Sequence, residues 1–171
     1  GEYTKAESIL DDLISLDPNN TKALHQKGVL YEEIGALDDA EILFRNALTL
    51  APDNHVIHTS LGTLYKRVGK YKEAEHHFTK ALSLEPYKTS AHNNLGNLYN
   101  TTGEFEKAQE CYRRAIHEVP TFYDAFRHLA QVKKFRSEAD PDLQMMQKAR
   151  EMSDDNVHRV MQLSFALGKA Y

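Results

Sequence analysis

The chain has 171 residues, of which 41% are hydrophobic and 27% charged, a composition typical of a globular protein rather than a disordered one. Its formal net charge of −4 lacks the basic excess that attracts phosphate backbones or anionic lipid, so nucleic acid and membrane surfaces are not expected partners. The single cysteine, Cys111, excludes an internal disulfide, and no apolar run approaches the roughly 20 residues needed to span a bilayer.

Residues with special backbone or packing roles recur every 34 positions, which indicates a repeat protein. Each series keeps one phase, and the series include small residues, glycines, prolines and large residues. Chance does not align so many residue types. The members are Gly28, Gly62 and Gly96; Gly35, Gly69 and Gly103; Pro18, Pro52, Pro86 and Pro120; Ala6, Ala40, Ala74 and Ala108; and Leu10, Phe44, Phe78 and Tyr112.

The period divides most of the chain into units. Residues 1–20 match the second helix of a unit whose first helix is absent. Complete units follow at 21–54, 55–88 and 89–122. We therefore predict a repeat array over residues 1–122 and a different segment after it.

Each complete unit predicts two helices and a tight turn. In the first complete unit, small and apolar residues at helical spacing from Leu24 to Tyr31 predict the first helix. Gly35 permits the turn, and a stripe that begins at Ala40 predicts the second helix. Pro52 ends the second helix because it lacks an amide hydrogen and restricts the residue before it.

The small residues have a packing role in this pattern. Only a minimal side chain at Gly28 and Ala40 lets the two helices of one hairpin approach closely, while Tyr31 and Phe44 fill the space around them. A bulky residue at the equivalent Ala74 is therefore expected to cost a few kcal/mol through overpacking.

The repeat degenerates over residues 123–171. The first-helix pattern continues through Phe126 and Leu129, but Lys133 takes the place of the tyrosine and no turn glycine follows. Further on, Gly168 begins the pattern of a new unit four residues late, within a predicted last helix that follows a cap at Asp154 or Asp155.

A short helix is predicted between these two segments. Asp140 followed by Pro141 is typical of a helix cap with proline at the first helical position, so we expect a helix over 141–151. The residues expected to face inward are Leu143, Met146 and Ala149.

With G-x-x-Y, a following A-x-x-x-F-x-x-A and a closing proline in three successive units, the chain resembles the tetratricopeptide repeat family. The initial tryptophan of the family pattern is replaced by Leu24, His58 and His92. The resemblance implies an all-α fold of antiparallel helix-hairpin repeats stacked as a right-handed superhelical solenoid. It also implies a protein–protein interaction scaffold rather than an enzyme.

About the last 45 residues resemble the joining region of bacterial proteins that fuse such repeats to a C-terminal sulfotransferase domain. The matching text is V-K-K-F from Val132, A-D-P-D-L from Ala139 and F-A-L-G-K-A-Y ending at Tyr171. This resemblance implies an alternative function, that of a non-catalytic regulatory or substrate-recruiting arm of a larger transferase. A degenerate repeat near the end of any array explains the same residues.

The family resemblance places a ligand on the concave wall, which outward positions of the first helices line. An amide stripe at helical spacing is able to donate and accept hydrogen bonds, and an arginine on the next helix suits a carboxylate. A peptide backbone or an acidic tail is the expected ligand, although solvated polar residues explain the same pattern. The predicted ligand-binding residues are His25, Thr59, Thr63, Lys66, Asn93, Asn97, Asn100, Arg127 and Gln131.

Family members that hold the C-terminal carboxylate of heat-shock chaperones use Lys-x-x-x-Asn and Lys-x-x-x-Arg pairs on successive first helices. Here Val29 replaces the first asparagine, and Asp124 with His128 stands where a basic pair is needed. The resemblance therefore does not predict a clamp of that type.

Other chemistry finds little support in the sequence. The chain has nine histidines, but His58 and His92 take aromatic packing positions, and the adjacent His76 and His77 lack partners at metal-ligand spacing. Cys111 lies in a predicted second helix, where it is expected to pack rather than react. We predict no enzyme, no metal and no cofactor.

The array is expected to begin with an unpaired second helix and to end with an unpaired first helix. Each end then presents an apolar face, so end-to-end self-stacking is a third hypothesis. Because the chain has no initiator methionine, it is expected to be a fragment. The single cysteine and the lack of a long apolar run favour a cytoplasmic location.

Overall fold

The computed structural model describes residues 1–152 apart from residues 136 and 138, and within them every regular element is a helix. The predicted all-α class of helical hairpins is confirmed. None of the described helices is both long and apolar enough to cross a membrane. The helices are α1 Glu2–Leu16, α2 Thr21–Ile34, α3 Leu37–Leu50, α4 His55–Arg67, α5 Tyr71–Leu84, α6 Thr89–Thr102, α7 Phe105–Glu118, α8 Tyr123–Val132 and α9 Pro141–Met152.

Backbone contacts divide the chain into two units, Gly1–Pro86 and Tyr87–Tyr171. In the first unit α2 pairs with α3 and α4 pairs with α5, while α1 packs on α2 and α3 packs on α4. In the second unit α6 pairs with α7, and α8 packs on α7. Contacts also join α2 to α4 and α6 to α8, so consecutive first helices lie side by side within each unit.

Each hairpin closes around a glycine and an aromatic ring. A Cβ atom added to Gly28 would lie 2.6 Å from Phe44 Cε1, and one added to Gly62 would lie 2.6 Å from Phe78 Cδ1. Gly96 stands in the same relation to the Tyr112 ring. The rings therefore fill the space that the missing side chains leave, as the 34-residue period predicts.

The predicted turns are also confirmed. Gly35 has φ of 85°, a left-handed conformation that glycine adopts without steric penalty. Its amide donates to Glu32 O, and the next amide, of Ala36, donates to Tyr31 O at 2.8 Å. These bonds satisfy carbonyls at the end of α2 and turn the chain into α3 within two residues.

A repeated tyrosine–glutamate hydrogen bond, which the sequence periodicity did not predict, joins successive hairpins in the first unit. Tyr31 Oη donates to Glu7 Oε1 at 2.7 Å, and Tyr65 Oη donates to Glu41 Oε1 at 2.8 Å. Both pairs span 24 residues, so the two glutamates are 34 positions apart, like the tyrosines. That shared spacing was a signal available in the sequence.

At residue 133, where lysine replaces the tyrosine, an ion-pair cluster takes the place of this bond. Lys133, which occupies the tyrosine position, donates to the Asp140 and Asp142 carboxylates. Arg113 makes three further hydrogen bonds to Asp142, whose side chain is only 8% exposed. The cluster therefore joins α9 to α7 and to the end of α8 where the repeat pattern breaks down.

The predicted short helix is confirmed as α9. Asp140 caps it, because its Oδ1 accepts from the Asp142 amide at 3.0 Å, and Leu143 and Met146 are buried. Ala149 is half-buried and packs against the same core. The predicted last helix, with Gly168, lies outside the described residues.

Candidate functional site

The predicted ligand-binding residues lie on the first helices of the hairpins. In the first unit they belong to α2 and α4, and in the second unit to α6 and α8. Since the buried face of each helix packs against its hairpin partner, the remaining positions determine what the first helices offer to a ligand.

Three of the predicted residues in the first unit make hydrogen bonds within the protein. His25 Nε2 lies 2.9 Å from Ser60 Oγ, which links α2 to α4. Thr59 Oγ1 donates to His55 O at 2.8 Å, and Thr63 Oγ1 donates to Thr59 O at 3.0 Å. The two threonines are half-buried and saturate carbonyls of their own helix, so their hydroxyls offer a ligand acceptor lone pairs.

Lys66 is the cation of this surface. Its side chain is half-buried, and burial lowers the pKa of its ammonium group. No ion pair among the described residues involves Lys66. An anionic group of a ligand that reached Lys66 would gain a charge-assisted hydrogen bond without first displacing a carboxylate of these residues.

Glu32 holds the same position on α2 as Lys66 holds on α4, 34 residues later. Burial raises the pKa of the Glu32 carboxyl, while the charge of Arg67 acts in the opposite direction. Arg67 also donates to Glu32 O at 2.6 Å and so fastens α4 to the end of α2. Residues of both charges therefore line this surface.

A chain of polar contacts connects α6 and α8 in the second unit. Asn93 Oδ1 lies 3.0 Å from His128 Nδ1, and His128 Nε2 lies 3.0 Å from Arg127 Nη2. Arg127 also pairs with Asp124 at 3.3 Å. Asn93 is only 8% exposed, because this network covers it, and it is therefore less open than an outward helix position suggests.

The other two asparagines are more accessible. Asn97 is half-buried, and its Oδ1 accepts from Tyr112 Oη at 2.9 Å. Asn100 is half-buried and Gln131 is exposed, and neither side chain makes a hydrogen bond to another described residue. These two amides are available to a ligand without the loss of an internal bond.

His58 and Cys111 have packing roles in the described part of the chain. His58 is buried, with Nδ1 at 2.9 Å from His77 Nδ1 and Nε2 at 3.1 Å from Pro52 O. Burial raises the pKa of the Cys111 thiol to about 11, so this buried thiol is not an activated nucleophile. Across residues 1–152, with the gaps noted above, no three histidine, cysteine, aspartate or glutamate side chains form a group suited to a metal.

Family models of two regions match the sequence. One, described as tetratricopeptide repeat, matches residues 56–116, and a second with the same description matches residues 1–55. Together they account for residues 1–116, which is more than half of the chain. A comparison with curated proteins gave no match.

Solved structures of similar fold are numerous. The pilus biogenesis factor PilW is 26% identical, with a TM-score of 0.73, over 98% of this chain and 80% of its own. The first tetratricopeptide domain of Spaghetti (RPAP3), bound to the HSP90 peptide SRMEEVD, is 25% identical, with a TM-score of 0.64, over 68% and 92%. YrrB, described as a protein of this repeat class with an unusual peptide-binding site, is 21% identical, with a TM-score of 0.66, over 94% and 82%.

Proposed function

Since the chain belongs to the tetratricopeptide repeat family, we propose that it is a protein-interaction scaffold that binds extended peptide segments of partner proteins on the first helices within each unit. The observation that carries the proposal is the set of polar side chains on those helices that packing leaves without a partner in the described structure. Lys66 provides a cation, and Asn100 and Gln131 provide amides. A peptide main chain offers both carbonyl acceptors and amide donors to such groups.

Two similar structures support the ligand class. The Spaghetti domain holds a peptide, and YrrB is described with a peptide-binding site. The HSP90 peptide itself is not the expected ligand of this chain, because Val29, Asp124 and His128 occupy the positions where a carboxylate clamp needs asparagine and basic residues. Weak binding of SRMEEVD, relative to a peptide selected for this chain, is the expected result.

The alternative, an arm of a larger sulfotransferase, has no observation in its favour beyond the resemblance of the last 45 residues. Residues 153–171 of that region lie outside the described residues. The proposed function does not depend on it.

The test begins with selection of ligands from a random peptide library displayed on phage. The selected peptide is then titrated against purified wild-type chain and against Lys66→Ala, Asn100→Ala and Gln131→Ala. These three positions are preferable to Asn93 and Arg127, which bond to other residues, so that alanine there would also perturb the helices.

For a peptide that binds the first unit we expect Lys66→Ala to weaken binding by roughly 3- to 30-fold, the range for the loss of one hydrogen bond or one charged contact. For a peptide that binds the second unit we expect the same loss from Asn100→Ala and from Gln131→Ala. The matched control is Lys72→Ala, an exposed lysine of the second helix α5, which should leave affinity unchanged. Equal binding by all four variants and the wild type would contradict the proposed face, and failure of every library to yield a binder would contradict the proposed function.

A further inference from the structure

The contacts of His128 with Arg127 and with Asn93 have only one consistent direction. A guanidinium group donates and cannot accept, so the 3.0 Å contact between Arg127 Nη2 and His128 Nε2 requires an unprotonated Nε2. A neutral imidazole then carries its proton on Nδ1, which lies 3.0 Å from Asn93 Oδ1. Asn93 therefore accepts through its carbonyl oxygen, and the orientation of its amide follows from the presence of Arg127.

The amide nitrogen of Asn93 is left over by this arrangement. It makes no hydrogen bond to the described residues, although its residue is 8% exposed. Among the described residues, His55 Nδ1 is the one fully buried side-chain polar atom without a hydrogen-bond partner. The Asn93 amide nitrogen consequently still meets solvent, and its two hydrogens are the groups that a ligand can reach.

Tyr112 reinforces the arrangement. Its ring packs against the His128 ring with centroids 5.4 Å apart, and its hydroxyl donates to Asn97 Oδ1. The amide oxygens of Asn93 and Asn97, one helical turn apart on α6, are thus both bound by groups of the second unit. Residues at this spacing have Cβ atoms about 5–6 Å apart, close to the roughly 6.6 Å between alternate residues of an extended peptide.

The first unit has an equivalent contact in which the direction of the hydrogen bond is not determined. His25 and Ser60 hold the positions equivalent to Asn93 and His128, each 68 residues earlier, and their side chains lie 2.9 Å apart. A serine hydroxyl rotates and can donate or accept, so it does not determine the direction of that bond. Of these two contacts, the one in the second unit combines an imidazole with an arginine that requires it to accept.

We propose that His128 is a positioning residue that holds the Asn93 amide with its Nδ2 hydrogens toward the ligand, so that this point of the face offers a donor suited to a ligand's main-chain carbonyl. The inference rests on the proposed function, because it concerns the same peptide-binding face. His128 itself does not touch the ligand. It acts through Asn93.

The first test needs no ligand. Nitrogen NMR of the imidazole rings in the free wild-type chain reports which ring nitrogen carries the proton. At a pH where His128 is neutral we expect its proton on Nδ1. A proton on Nε2 would overturn the proposal whatever the binding data show.

The second test uses the library-selected peptide and analogues in which each main-chain carbonyl in turn is replaced by a methylene group. With the wild type, we expect the analogue that lacks the carbonyl bound by Asn93 to have roughly 3- to 10-fold lower affinity than the parent peptide, as for the loss of one hydrogen bond. In His128→Phe, which keeps a ring against Tyr112, the Asn93 amide is free to turn over, so the disadvantage of that analogue should become smaller. His128→Gln, whose amide both donates and accepts, should restore the difference.

His117→Phe is the control, since this histidine side chain is 86% exposed on α7. The proposal is overturned if the analogue keeps its full disadvantage in His128→Phe while the parent peptide binds the wild type normally. If no peptide binds the wild type, the proposed function fails, and the proposal fails with it. The two failures are therefore distinguishable.

Discussion

Gly62 lies where α4 meets the aromatic ring of α5, and its replacement by alanine tests the packing account of the hairpin. The added Cβ would lie 2.6 Å from both Cδ1 and Cε1 of Phe78, a residue that is fully buried. Ordinary carbon contacts begin near 3.5 Å, so the ring or the helix has to move by roughly 1 Å. Because the ring is enclosed, either movement disturbs the packing around it and costs free energy.

The magnitude follows from two opposing effects. Overpacking of a buried site costs typically 1–3 kcal/mol, whereas alanine is favoured over glycine inside a helix by about 1 kcal/mol. We therefore expect Gly62→Ala to lower the free energy of unfolding by about 1 kcal/mol, or by up to about 2 if the ring cannot shift. For a chain of this size that corresponds to a fall in Tm of roughly 2–8 °C.

The assay is thermal unfolding followed by circular dichroism, with two companion variants. Phe78→Leu alone creates a cavity, but in the Gly62→Ala background it also relieves the clash, so the double variant should be more stable than the sum of the single effects predicts. Thr79→Ala, at an exposed position of α5, controls for helix propensity and should not lower Tm. A Gly62→Ala protein as stable as the wild type would refute the reasoning.

Three further predictions concern the buried titratable groups. Burial lowers the pKa of His77 to about 4, so the unfolded chain binds a proton more readily than the folded chain. The free energy of unfolding should therefore fall as the pH drops from about 7 to about 4.5. The accompanying fall in Tm should be smaller in His77→Phe. Burial acts to raise the pKa of Asp142, but hydrogen bonds from Arg113 and Lys133 outweigh burial and lower the pKa. This carboxylate therefore stabilises the fold above its usual titration range, and the contribution is lost as the pH falls through and below that range. Asp142→Asn should increase hydrogen exchange in α9 at neutral pH and have little effect in acid. Since burial raises the pKa of Cys111 to about 11, the native chain should react with a thiol reagent at mildly alkaline pH at least tenfold more slowly than the urea-unfolded chain, and equal rates would contradict its burial.

The hairpin fold follows from the sequence because its determinants are local and repeated. Helical spacing places Gly28 on the face that meets Phe44, and Gly35 allows the turn between their helices, so one unit predicts the contacts of the next. The helix that begins at Pro141 was likewise predictable from its cap. These patterns depend only on residues within about one unit of each other.

The polar contacts of the candidate site depend on partners that the period alone does not identify. His128 lies 35 residues from Asn93, and only the packing of α8 beside α6 brings the two side chains to 3.0 Å. The sequence therefore identified Asn93 as an outward amide, whereas the tertiary structure determined that it is largely covered and which of its atoms reaches solvent. Helical periodicity decides which face a residue occupies, but the direction of a hydrogen bond depends on every donor and acceptor around it, and here the deciding one is the donor-only guanidinium of Arg127.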